Sequence, residues 1–506
     1  MFDKSDRIHH PGLREKVMSA AEAAEFIQPG DAIGFSGFTG AGYPKEVPEA
    51  LAHRIGEAHQ RGDSFPIRVF TGASTASELD GVLAKTGEVI FRAPYQSDPA
   101  MRAKINEGVT NYVDLHLSHS AAQVAQGFLG PINIAVVEAA QITKTGGLVP
   151  TSSVGNTNIY LDKAEKIIVE VNEWQSADLA GMHDIWSPGV PPNRQIIPLT
   201  EVGQRIGSTE FEIDVDKVVA VVYTNAADRN AAFTPIDETS HNIAGHFVDF
   251  LEHEIRHGRI PQQMLPLQSG VGNMANAVLA GLAESGFTNL KSYTEVIQDE
   301  MINLLDAGVL SVASATSFAL SPDYAEQMNR SAADYAKKIV LRPQEISNNP
   351  EVIRRLGVVA CNGMVEADIY GNVNSTHVGG TRMLNGIGGS GDFTRNAYIS
   401  TFVSPSVAKG GAVSSIVPMV SHTDHTEHDT MIIVTEQGLA DLRGLAPRQR
   451  AKVIINNCAH PDFREMLLDY VERAEASGTS HLHTPHDLEL AHSWHTRFLE
   501  TGSMRV

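Results

Sequence analysis

The sequence predicts a protein of the α/β class that is built from two similar α/β domains. Three observations lead to this prediction. Short apolar segments run into glycine turns followed by helix-forming segments, which is the opening unit of an α/β fold. Other apolar segments are nearly continuous, as in parallel strands buried on both faces. The order of these features in the first half of the chain recurs more loosely in the second half.

The first half contains two strand–turn–helix units. An amphipathic helix over residues 18–28 precedes the strand 31–36, which runs into a glycine turn and a helix over 46–58. Pro48 is tolerated in the first turn of that helix. The strand 68–71 and its following glycine start the second unit. Further buried strands are predicted over residues 132–138, 166–171 and 218–223.

The second half repeats the theme. Helices are predicted over residues 241–256 and from Gly270 to Ala283, and strands over 309–313, 358–366 and 430–435. A polar segment near residue 228 divides the predicted domains, 1–228 and 229–506. The segments 135–140, 146–149, 153–156 and 166–170 correspond to 364–369, 371–373, 388–391 and 431–436.

Composition excludes several classes of function. The chain has 506 residues and a formal net charge of −21, so nucleic-acid binding, which needs clustered positive charge, is not expected. No apolar run of about 18 residues predicts a transmembrane helix. The charged N-terminus, residues 1–7, lacks the apolar core of a secretory signal. Two cysteines, Cys361 and Cys458, form no CxxC motif, so we expect a cytoplasmic protein.

One acidic residue, Glu295, is a candidate nucleophile. It stands between Tyr293-Thr294 and Val296-Ile297. A carboxylate in such an apolar setting costs free energy unless it is paired or functional. We hypothesise that Glu295 attacks a bound ligand. A glutamate at a strand edge that faces water would show the same pattern.

Two glycine-rich segments are candidates for holding that ligand. Residues 270–273, Gly-Val-Gly-Asn, precede a predicted helix, where free N–H groups bind oxyanions or phosphates. Residues 385–393 contain four glycines and are either packed against a ligand or form a flexible loop. The first segment is also compatible with an ordinary tight turn that leads into a helix. Neither has the spacing of a dinucleotide fingerprint or a P-loop.

Basic and histidine-rich segments each allow two interpretations. Lys409 precedes two glycines and would suit a phosphate, although solvent exposure is the usual fate of lysine. The histidines in 422–429 lack the spacing of HExxH or a zinc finger, so a polar loop is favoured there, as it is for those in 481–486. No metal site is predicted, and no GxSxG motif indicates a hydrolase triad.

Together these motifs resemble those of the acetyl-CoA hydrolase/transferase family of class I CoA-transferases. The resemblance extends from Gly34 to His495, nearly the whole chain. No motif alone would be specific, but the set is. The segments that carry it are GFSGFTGAGYPK (34–45), PTSSVGN (150–156), LQSGVGN (267–273), EVIQD (295–299), EADIYGNVNS (366–375), TEQGLADLRG (435–444) and Ser493-Trp494-His495.

The resemblance implies two α/β domains of the CoA-transferase, sugar-phosphate-isomerase-like type, with the active site between them, and a homodimer. The family nucleophile matches Glu295, which would lie in the C-terminal domain with most of the coenzyme A site. Backbone N–H groups of Val271 and Gly389 would be the oxyanion donors. Arg229 and Glu436 would belong to the carboxylate-substrate and active-site network. Contacts with coenzyme A map to Gly270, Val271, Gly272, Asn273, Met274, Asn348, Val365, Asn385, Gly389 and Lys409.

The implied activity is transfer of coenzyme A between succinyl-CoA and acetate through a glutamyl-CoA thioester. Acyl-CoA, acetate and succinate are the implied small-molecule partners. Coenzyme A is the implied cofactor, as substrate and covalent intermediate, and no permanently bound group is expected. Acetyl-CoA hydrolysis and transfer between propionyl-CoA and succinate are alternatives within the family. A metabolite sensor or scaffold on the same fold is a third, although a sensor needs no nucleophile.

Overall fold

The predicted α/β class is confirmed by a computed structural model that describes residues 7–230, 232, 234–478 and 480–505. Helices and parallel strands alternate along the chain. The strands of the first 224 residues are β1 (Ala32–Phe35), β2 (Ile67–Phe70), β3 (Val89–Ala93), β4 (Asn111–Tyr112), β5 (Ile134–Ala139), β6 (Gln141–Ile142), β7 (Leu148–Val149), β8 (Lys166–Asn172) and β9 (Val218–Thr224). The helices there are α1 (Pro11–Arg14), α2 (Ala20–Ala24), α3 (Glu46–Gln60), α4 (Val82–Thr86), α5 (Pro99–Asn106), α6 (Leu117–Ala125) and α7 (Thr157–Lys163).

The rest of the chain has shorter strands and longer helices. Its strands are β10 (Leu267–Ser269), β11 (Leu290–Tyr293), β12 (Val296–Ile297), β13 (Leu310–Ala315), β14 (Ser317–Phe318), β15 (Ile339–Leu341), β16 (Val359–Gly363), β17 (Glu366–Asp368), β18 (Val373–Asn374), β19 (His377–Val378), β20 (Arg382–Met383), β21 (Ile399–Val403), β22 (Val407–Ala408), β23 (Val413–Ser414), β24 (Ile416–Val417), β25 (Ile432–Thr435) and β26 (Gly438–Asp441). Its helices are α8 (Glu238–Arg256), α9 (Asn273–Glu284), α10 (Asp299–Asp306), α11 (Pro322–Arg330), α12 (Ala332–Tyr335), α13 (Gln344–Ser347), α14 (Pro350–Leu356), α15 (Ser390–Asn396), α16 (Pro447–Cys458), α17 (Pro461–Ala476) and α18 (Ser493–Thr501). None of the helices described here is both long and apolar enough to cross a bilayer.

The chain divides into two compact units, and the first comprises Met1–Ala232 and Ser292–Leu356. Its main sheet has seven parallel strands in the order β4–β3–β2–β1–β5–β8–β9. Strands β5 and β8 are buried on both faces, apart from the exposed Lys166 at the start of β8, as their nearly continuous apolar sequences predicted. Within the returning segment, β13 and β15 form a further parallel pair.

Helix α3 shows how the sequence fixes an element of this unit. Val47, Leu51 and Ile55 recur every four residues and are fully buried in the core of the unit. The carboxylate of Glu170 accepts hydrogen bonds from the N–H groups of Glu46 and Val47, at 3.1 and 3.0 Å. Those donors have no partner within a helix, so the buried carboxylate satisfies them. The helix ends two residues later than predicted.

The second unit comprises Phe233–Lys291 and Gly357–Val506. Its strands β10, β16, β21 and β25 are parallel neighbours in that order, and β26 closes the edge in the antiparallel direction. The core on one side includes Phe402 and Ile433 from the strands and Ile454, Phe463 and Trp494 from the C-terminal helices. Helices α8 and α9 pack against each other.

The predicted internal repeat is visible in the topology. In the first unit, β5 leads through the hairpin β6–β7 and helix α7 to its parallel neighbour β8. In the second unit, β16 leads through β17–β18 and α15 to its parallel neighbour β21. The predicted end of the repeat is wrong: the counterpart of β8 is β21, not the segment 431–436, which falls one strand later. Two hydroxyl residues in β21, Ser400 and Thr401, interrupt the apolar pattern that the prediction relied on.

The compact units differ from the predicted division at residue 228. Residues 292–356, which contain Glu295, belong to the same unit as the N-terminal part of the chain. The compact units are defined by which residues pack together, whereas the predicted domains were defined by the repeated order of sequence features. The two divisions can differ, because a segment of one repeat can pack within the core of the other. The domain boundary at 228 and the site between the two domains therefore stay predictions.

Candidate active site

Glu295 follows the carboxyl end of a strand in the first unit. It stands two residues after β11 and immediately before β12, which pairs in parallel with β14. Its backbone carbonyl accepts a 3.0 Å hydrogen bond from the N–H of Thr316. The backbone around the residue is thus fixed, whereas its side chain is partly exposed. Ligands of α/β folds bind at such strand ends.

The side chain of Asn348 orients this carboxylate. Its Nδ2 donates a 2.9 Å hydrogen bond to Oε2 of Glu295. Its Oδ1 accepts a 2.8 Å hydrogen bond from the hydroxyl of Ser347, which fixes the end of the amide that faces Glu295. Asn348 is completely buried. A neutral donor holds the carboxylate in place without cancelling its charge, as nucleophilic attack requires.

An apolar cluster containing Val296, the residue after Glu295, lies beside this pair. Burial, reinforced by the negative charge of Glu295, raises the pKa of Tyr95 far above its usual value, so its hydroxyl stays neutral. No motif contains Tyr95, and the sequence analysis missed it. Its position two residues after β3 is the signal that points to a strand-end site. The cluster consists of Phe38, Ala73, Leu117, Val296 and Ala319, with Tyr95 packed against it.

Arg229 lies in the first unit against a turn that contains Gly40. Its backbone N–H donates a 2.8 Å hydrogen bond to the carbonyl of Gly40. The N–H of Gly40 in turn donates to Oδ1 of Asn230 at 2.9 Å. The guanidinium of Arg229 is well exposed and forms a 2.9 Å ion pair with Glu78. Its predicted role in binding the carboxylate substrate stays a prediction.

The glycine turn 270–273 lies in the second unit, between β10 and helix α9. The backbone N–H of Gly270 donates to the carbonyl of Cys361 at 2.9 Å. Gly272 is the N-cap of α9 and has a φ of +118°, which favours glycine. Val271 is 56% exposed, and Asn273 and Met274 form the first turn of the helix. The turn thus leads into a helix N-terminus, a place where backbone N–H groups commonly bind anions.

Val365 stands where the predicted strand 358–366 is broken into β16 and β17. Its backbone N–H donates to the carbonyl of Asn374 at 2.9 Å. The glycine-rich segment 385–393 turns into helix α15, with Gly389 as its buried N-cap. Asn385 uses its amide to hold this segment, because Nδ2 donates to the carbonyls of Ser375 and Gly386. The segment is therefore an ordered turn.

Lys409 directly follows the short strand β22, and Glu436 directly follows β25. Lys409 is exposed and has a φ of +48°. The carboxylate of Glu436 accepts a 2.8 Å hydrogen bond from the N–H of Ser406, a second bond from the hydroxyl of Ser406 and a third from Gln437. Burial raises the pKa of Glu436, but these hydrogen bonds outweigh it and hold that pKa below its usual value.

The structure thus gathers the candidate residues in two sets. In the first unit, Glu295 and Asn348 are in direct contact, and Arg229 holds a neighbouring turn of the chain. In the second unit, the glycine turn follows β10, Val365 follows β16 and Glu436 follows β25, and the carboxyl ends of these strands lie at one edge because β10, β16, β21 and β25 are parallel neighbours. The other candidates lie in the connections between strands: Asn385 follows β20, Gly389 caps helix α15, and Lys409 follows β22. The members of this second set are Gly270, Val271, Gly272, Asn273, Met274, Val365, Asn385, Gly389, Lys409 and Glu436.

Comparison with known proteins identifies one family. The "Acetyl-CoA hydrolase/transferase N-terminal domain" matches residues 2–223, and the "Acetyl-CoA hydrolase/transferase C-terminal domain" matches residues 326–471. The chain is 49% identical to succinyl-CoA:acetate CoA-transferase of Clostridium kluyveri, over 99% of this chain and 92% of that protein.

Two further relatives are of comparable length. The chain is 47% identical to propanoyl-CoA:succinate CoA transferase of Escherichia coli K12, over 96% of this chain and 98% of that protein. It is 42% identical to acetyl-CoA hydrolase of Yarrowia lipolytica, over 99% and 98%. The solved structure of 4-hydroxybutyrate CoA-transferase from Porphyromonas gingivalis covers 91% of this chain and 98% of its own, with a TM-score of 0.62 and 21% identity, which shows a shared fold.

Proposed function

The chain belongs to the acetyl-CoA hydrolase/transferase family, and on that premise we propose that it transfers coenzyme A between succinyl-CoA and acetate through a glutamyl-CoA thioester on Glu295. The observation that carries the proposal is the hydrogen bond from Asn348 to the partly exposed carboxylate of Glu295. A glutamate that only faced water at a strand edge would not need a buried amide to orient it.

The proposed chemistry is a double displacement. A carboxylate oxygen of Glu295 attacks the thioester carbonyl of the acyl-CoA, and the coenzyme A thiolate leaves, which gives a mixed anhydride. The thiolate then attacks the carbonyl carbon of the glutamyl side, the acyl group leaves as its carboxylate, and a glutamyl-CoA thioester remains. A second carboxylate substrate reverses these steps and carries coenzyme A away. Glu295 is regenerated with no net consumption of water.

Each attack passes through a tetrahedral oxyanion, which fixed N–H groups stabilise. We assign this role to the backbone N–H groups of Val271 and Gly389. We assign the binding of coenzyme A to the glycine turn 270–273 together with Val365, Asn385 and Lys409. We assign the carboxylate substrate to Arg229 and Glu436. A homodimer in the cytoplasm is the assembly and compartment that we propose.

Hydrolysis of acetyl-CoA is the second candidate function. The similarity to acetyl-CoA hydrolase of Yarrowia lipolytica supports this function, because the two sequences match over nearly their whole lengths. Chemically the two activities differ in whether water or a carboxylate intercepts the acyl-enzyme or the glutamyl thioester. Transfer between propionyl-CoA and succinate is the corresponding alternative in substrate choice.

Intact mass spectrometry after denaturation tests the proposal. The protein is incubated with acetyl-CoA, mapped at the peptide level, and then treated with succinate. We expect a coenzyme A adduct on the peptide that contains Glu295, its removal by succinate, and the appearance of succinyl-CoA. Acetyl-CoA consumed without an acceptor would support the hydrolase, and neither adduct nor turnover would contradict both enzymatic functions.

A further inference from the structure

The turn formed by residues 409–411, which we call the Lys409 turn, has an unfavourable backbone conformation. Lys409, Gly410 and Gly411 have φ values of +48°, +63° and +88°. Glycine adopts such angles readily, but a residue with a Cβ atom does so at a cost in free energy. A conformation of this kind persists only when surrounding contacts hold it.

The last residues of the chain supply those contacts. Nε of Arg505 donates a 2.8 Å hydrogen bond to the carbonyl of Gly411. The backbone N–H of Met504 donates a 2.8 Å hydrogen bond to the carbonyl of Ala412, and the side chain of Met504 is 2% exposed. The C-terminal segment is therefore packed as part of the second unit: the side chain of Arg505 bonds to the Lys409 turn, and the backbone of Met504 bonds to Ala412, the residue that follows the turn.

Helix α18 holds the lysine side chain itself. Nζ of Lys409 lies 4.4 Å from the ring centroid of Phe498, a residue of this helix that is 9% exposed. A cation is attracted to the face of an aromatic ring, so the ring favours this position of the ammonium group over others. Unlike a carboxylate, the ring leaves the positive charge uncancelled and available to an anionic ligand.

The same helix is anchored next to a second candidate residue. Nε2 of His495 lies 2.8 Å from Oε2 of Glu366, and both side chains are buried. The other oxygen of Glu366 accepts a 2.8 Å hydrogen bond from the N–H of Ser421. Glu366 is the neighbour of Val365 in the chain, so this anchor ties helix α18 to the segment that contains Val365.

From these contacts we propose that the C-terminal segment, Ser493 to Arg505, positions the coenzyme A site, with Phe498 and Arg505 acting through the Lys409 turn. The inference rests on the proposed function, which assigns Lys409 to coenzyme A. Phe498 and Arg505 are positioning residues, because their contacts are with Lys409 and its turn. The ligand group that suits a fixed and uncancelled ammonium is a phosphate of coenzyme A.

A double-mutant cycle tests the role of Phe498. Phe498→Leu keeps an apolar side chain but removes the aromatic face, and we expect the KM for acyl-CoA to rise by about 3- to 10-fold, with kcat and the KM for acetate unchanged. Phe498→Trp keeps the face and should restore the KM. In the background of Lys409→Ala, Phe498→Leu should add nothing, because its effect passes through the lysine. Multiplied effects in the double mutant would overturn the proposal.

Arg505→Ala tests the hydrogen bond from the Arg505 side chain to the carbonyl of Gly411, and Asp462→Ala is its matched control. Arg505 also forms a 2.6 Å ion pair with Asp462, which the control removes while leaving the bond to Gly411. We expect Arg505→Ala, but not Asp462→Ala, to weaken the binding of free coenzyme A measured by calorimetry. Equal effects of the two variants would assign the result to the ion pair and contradict the positioning role.

The two levels of proposal fail in different ways. If wild-type protein forms no coenzyme A adduct on Glu295, the proposed function fails whatever the C-terminal variants do. If wild type forms the adduct and Lys409→Ala raises the KM for acyl-CoA, but Phe498→Leu and Arg505→Ala match wild type, then the inference alone is wrong. Thermal unfolding of each variant shows whether the C-terminal segment is still folded.

Discussion

Asn348 donates a 2.9 Å hydrogen bond to Glu295 from a position 53 residues later in the chain. Two structural facts produce this contact. Glu295 follows β11, and Asn348 follows β15 by way of the short helix α13. Strands that run in the same direction bring the segments after their carboxyl ends to one side of a sheet, so residues distant in sequence meet there.

Replacing Glu295 should abolish transfer of coenzyme A. Glu295→Ala removes the attacking oxygen, and we expect no measurable turnover and no coenzyme A adduct. Glu295→Asp keeps a carboxylate but withdraws it by one methylene, so we expect a loss of about 10²-fold or more in kcat. Steady-state kinetics with acetyl-CoA and succinate measure both. Substantial turnover by Glu295→Ala would contradict the assignment of the nucleophile.

Removing the amide of Asn348 should slow the reaction without stopping it. In Asn348→Ala the carboxylate of Glu295 loses its fixed orientation, and we expect kcat to fall by about 10- to 100-fold. Ser347→Ala is the graded control, because it removes only the hydrogen bond that orients the amide. Its effect should be smaller than that of Asn348→Ala. Equal rates in all three proteins would show that the contact has no catalytic role.

The sequence was sufficient to predict the α/β class because its strongest signals are local. Strand β5 is apolar at every position but Glu138, β8 contains the apolar run Ile167 to Val169, and α3 has the spacing of a helix with one buried face. The ends of an element were predicted less well than its type. Helix α2 covers only Ala20–Ala24 of the predicted range 18–28: Ser19 is its N-cap and forms a capping box with Glu22, and Glu25 is its C-cap.

Only the part of the candidate site that lies in recognisable sequence motifs could be predicted. The EVIQD motif identifies Glu295, but nothing in the sequence indicates that Asn348 donates a hydrogen bond to it. Tyr95 was missed because it belongs to no motif, and only its place after β3 connects it to the site. The counterpart of β8 in the second half was mispredicted because β21, which contains Ser400 and Thr401, is completely buried without being wholly apolar.

The proposed oxyanion donor Val271 can be tested without changing charge. Val271→Pro removes the backbone N–H, and we expect kcat to fall by about 10²- to 10³-fold. Val271→Ala is the control, because it keeps the N–H and shortens a side chain that is 56% exposed. The control should behave like wild type. A normal kcat in Val271→Pro would exclude this N–H as a donor.

A methyl group at Gly40 should disturb the segment that carries Arg229. The Cβ atom of an alanine there would lie 2.5 Å from the carbonyl oxygen of Arg229, far inside van der Waals contact. We expect Gly40→Ala to lower the free energy of unfolding by about 1–3 kcal/mol and to raise the KM for the carboxylate substrate. Urea denaturation and steady-state kinetics measure the two effects.

Gly56→Ala provides the matched control for that substitution. Gly56 lies inside helix α3, and a Cβ atom there would have no other atom within 4 Å. Alanine restricts the unfolded chain and favours the helix, so this variant should gain about 0.5–1 kcal/mol without a change in KM. If the two variants had the same stability, the steric role of the Gly40 turn would be contradicted.

A buried charge cluster in the first unit should make stability depend on pH. Nζ of Lys45 lies 2.7 Å from Glu138 and 3.2 Å from Asp228, and these three side chains are almost completely buried. Nδ2 of Asn172 also donates to Glu138 at 2.8 Å. Burial raises the pKa of Glu138 to about 7; Lys45 opposes this shift and the charge of Asp228 adds to it. One lysine cannot neutralise two carboxylates, so Glu138 retains a proton below about pH 7.

The sign of the pH effect follows from that retained proton. The pKa of Glu138 in the unfolded chain is near its ordinary value of 4.5, so between that value and about pH 7 the folded protein binds more protons than the unfolded one. Its contribution to the free energy of unfolding is therefore complete below pH 4.5 and is lost as the pH rises through about 7.

We expect wild-type stability to fall by at most about 3 kcal/mol across this window. Glu138→Gln, which cannot titrate, should be less stable overall but show a shallower decline in urea denaturation measured from about pH 5 to pH 7.5. Identical slopes in the two proteins would mean that Glu138 is ionised throughout.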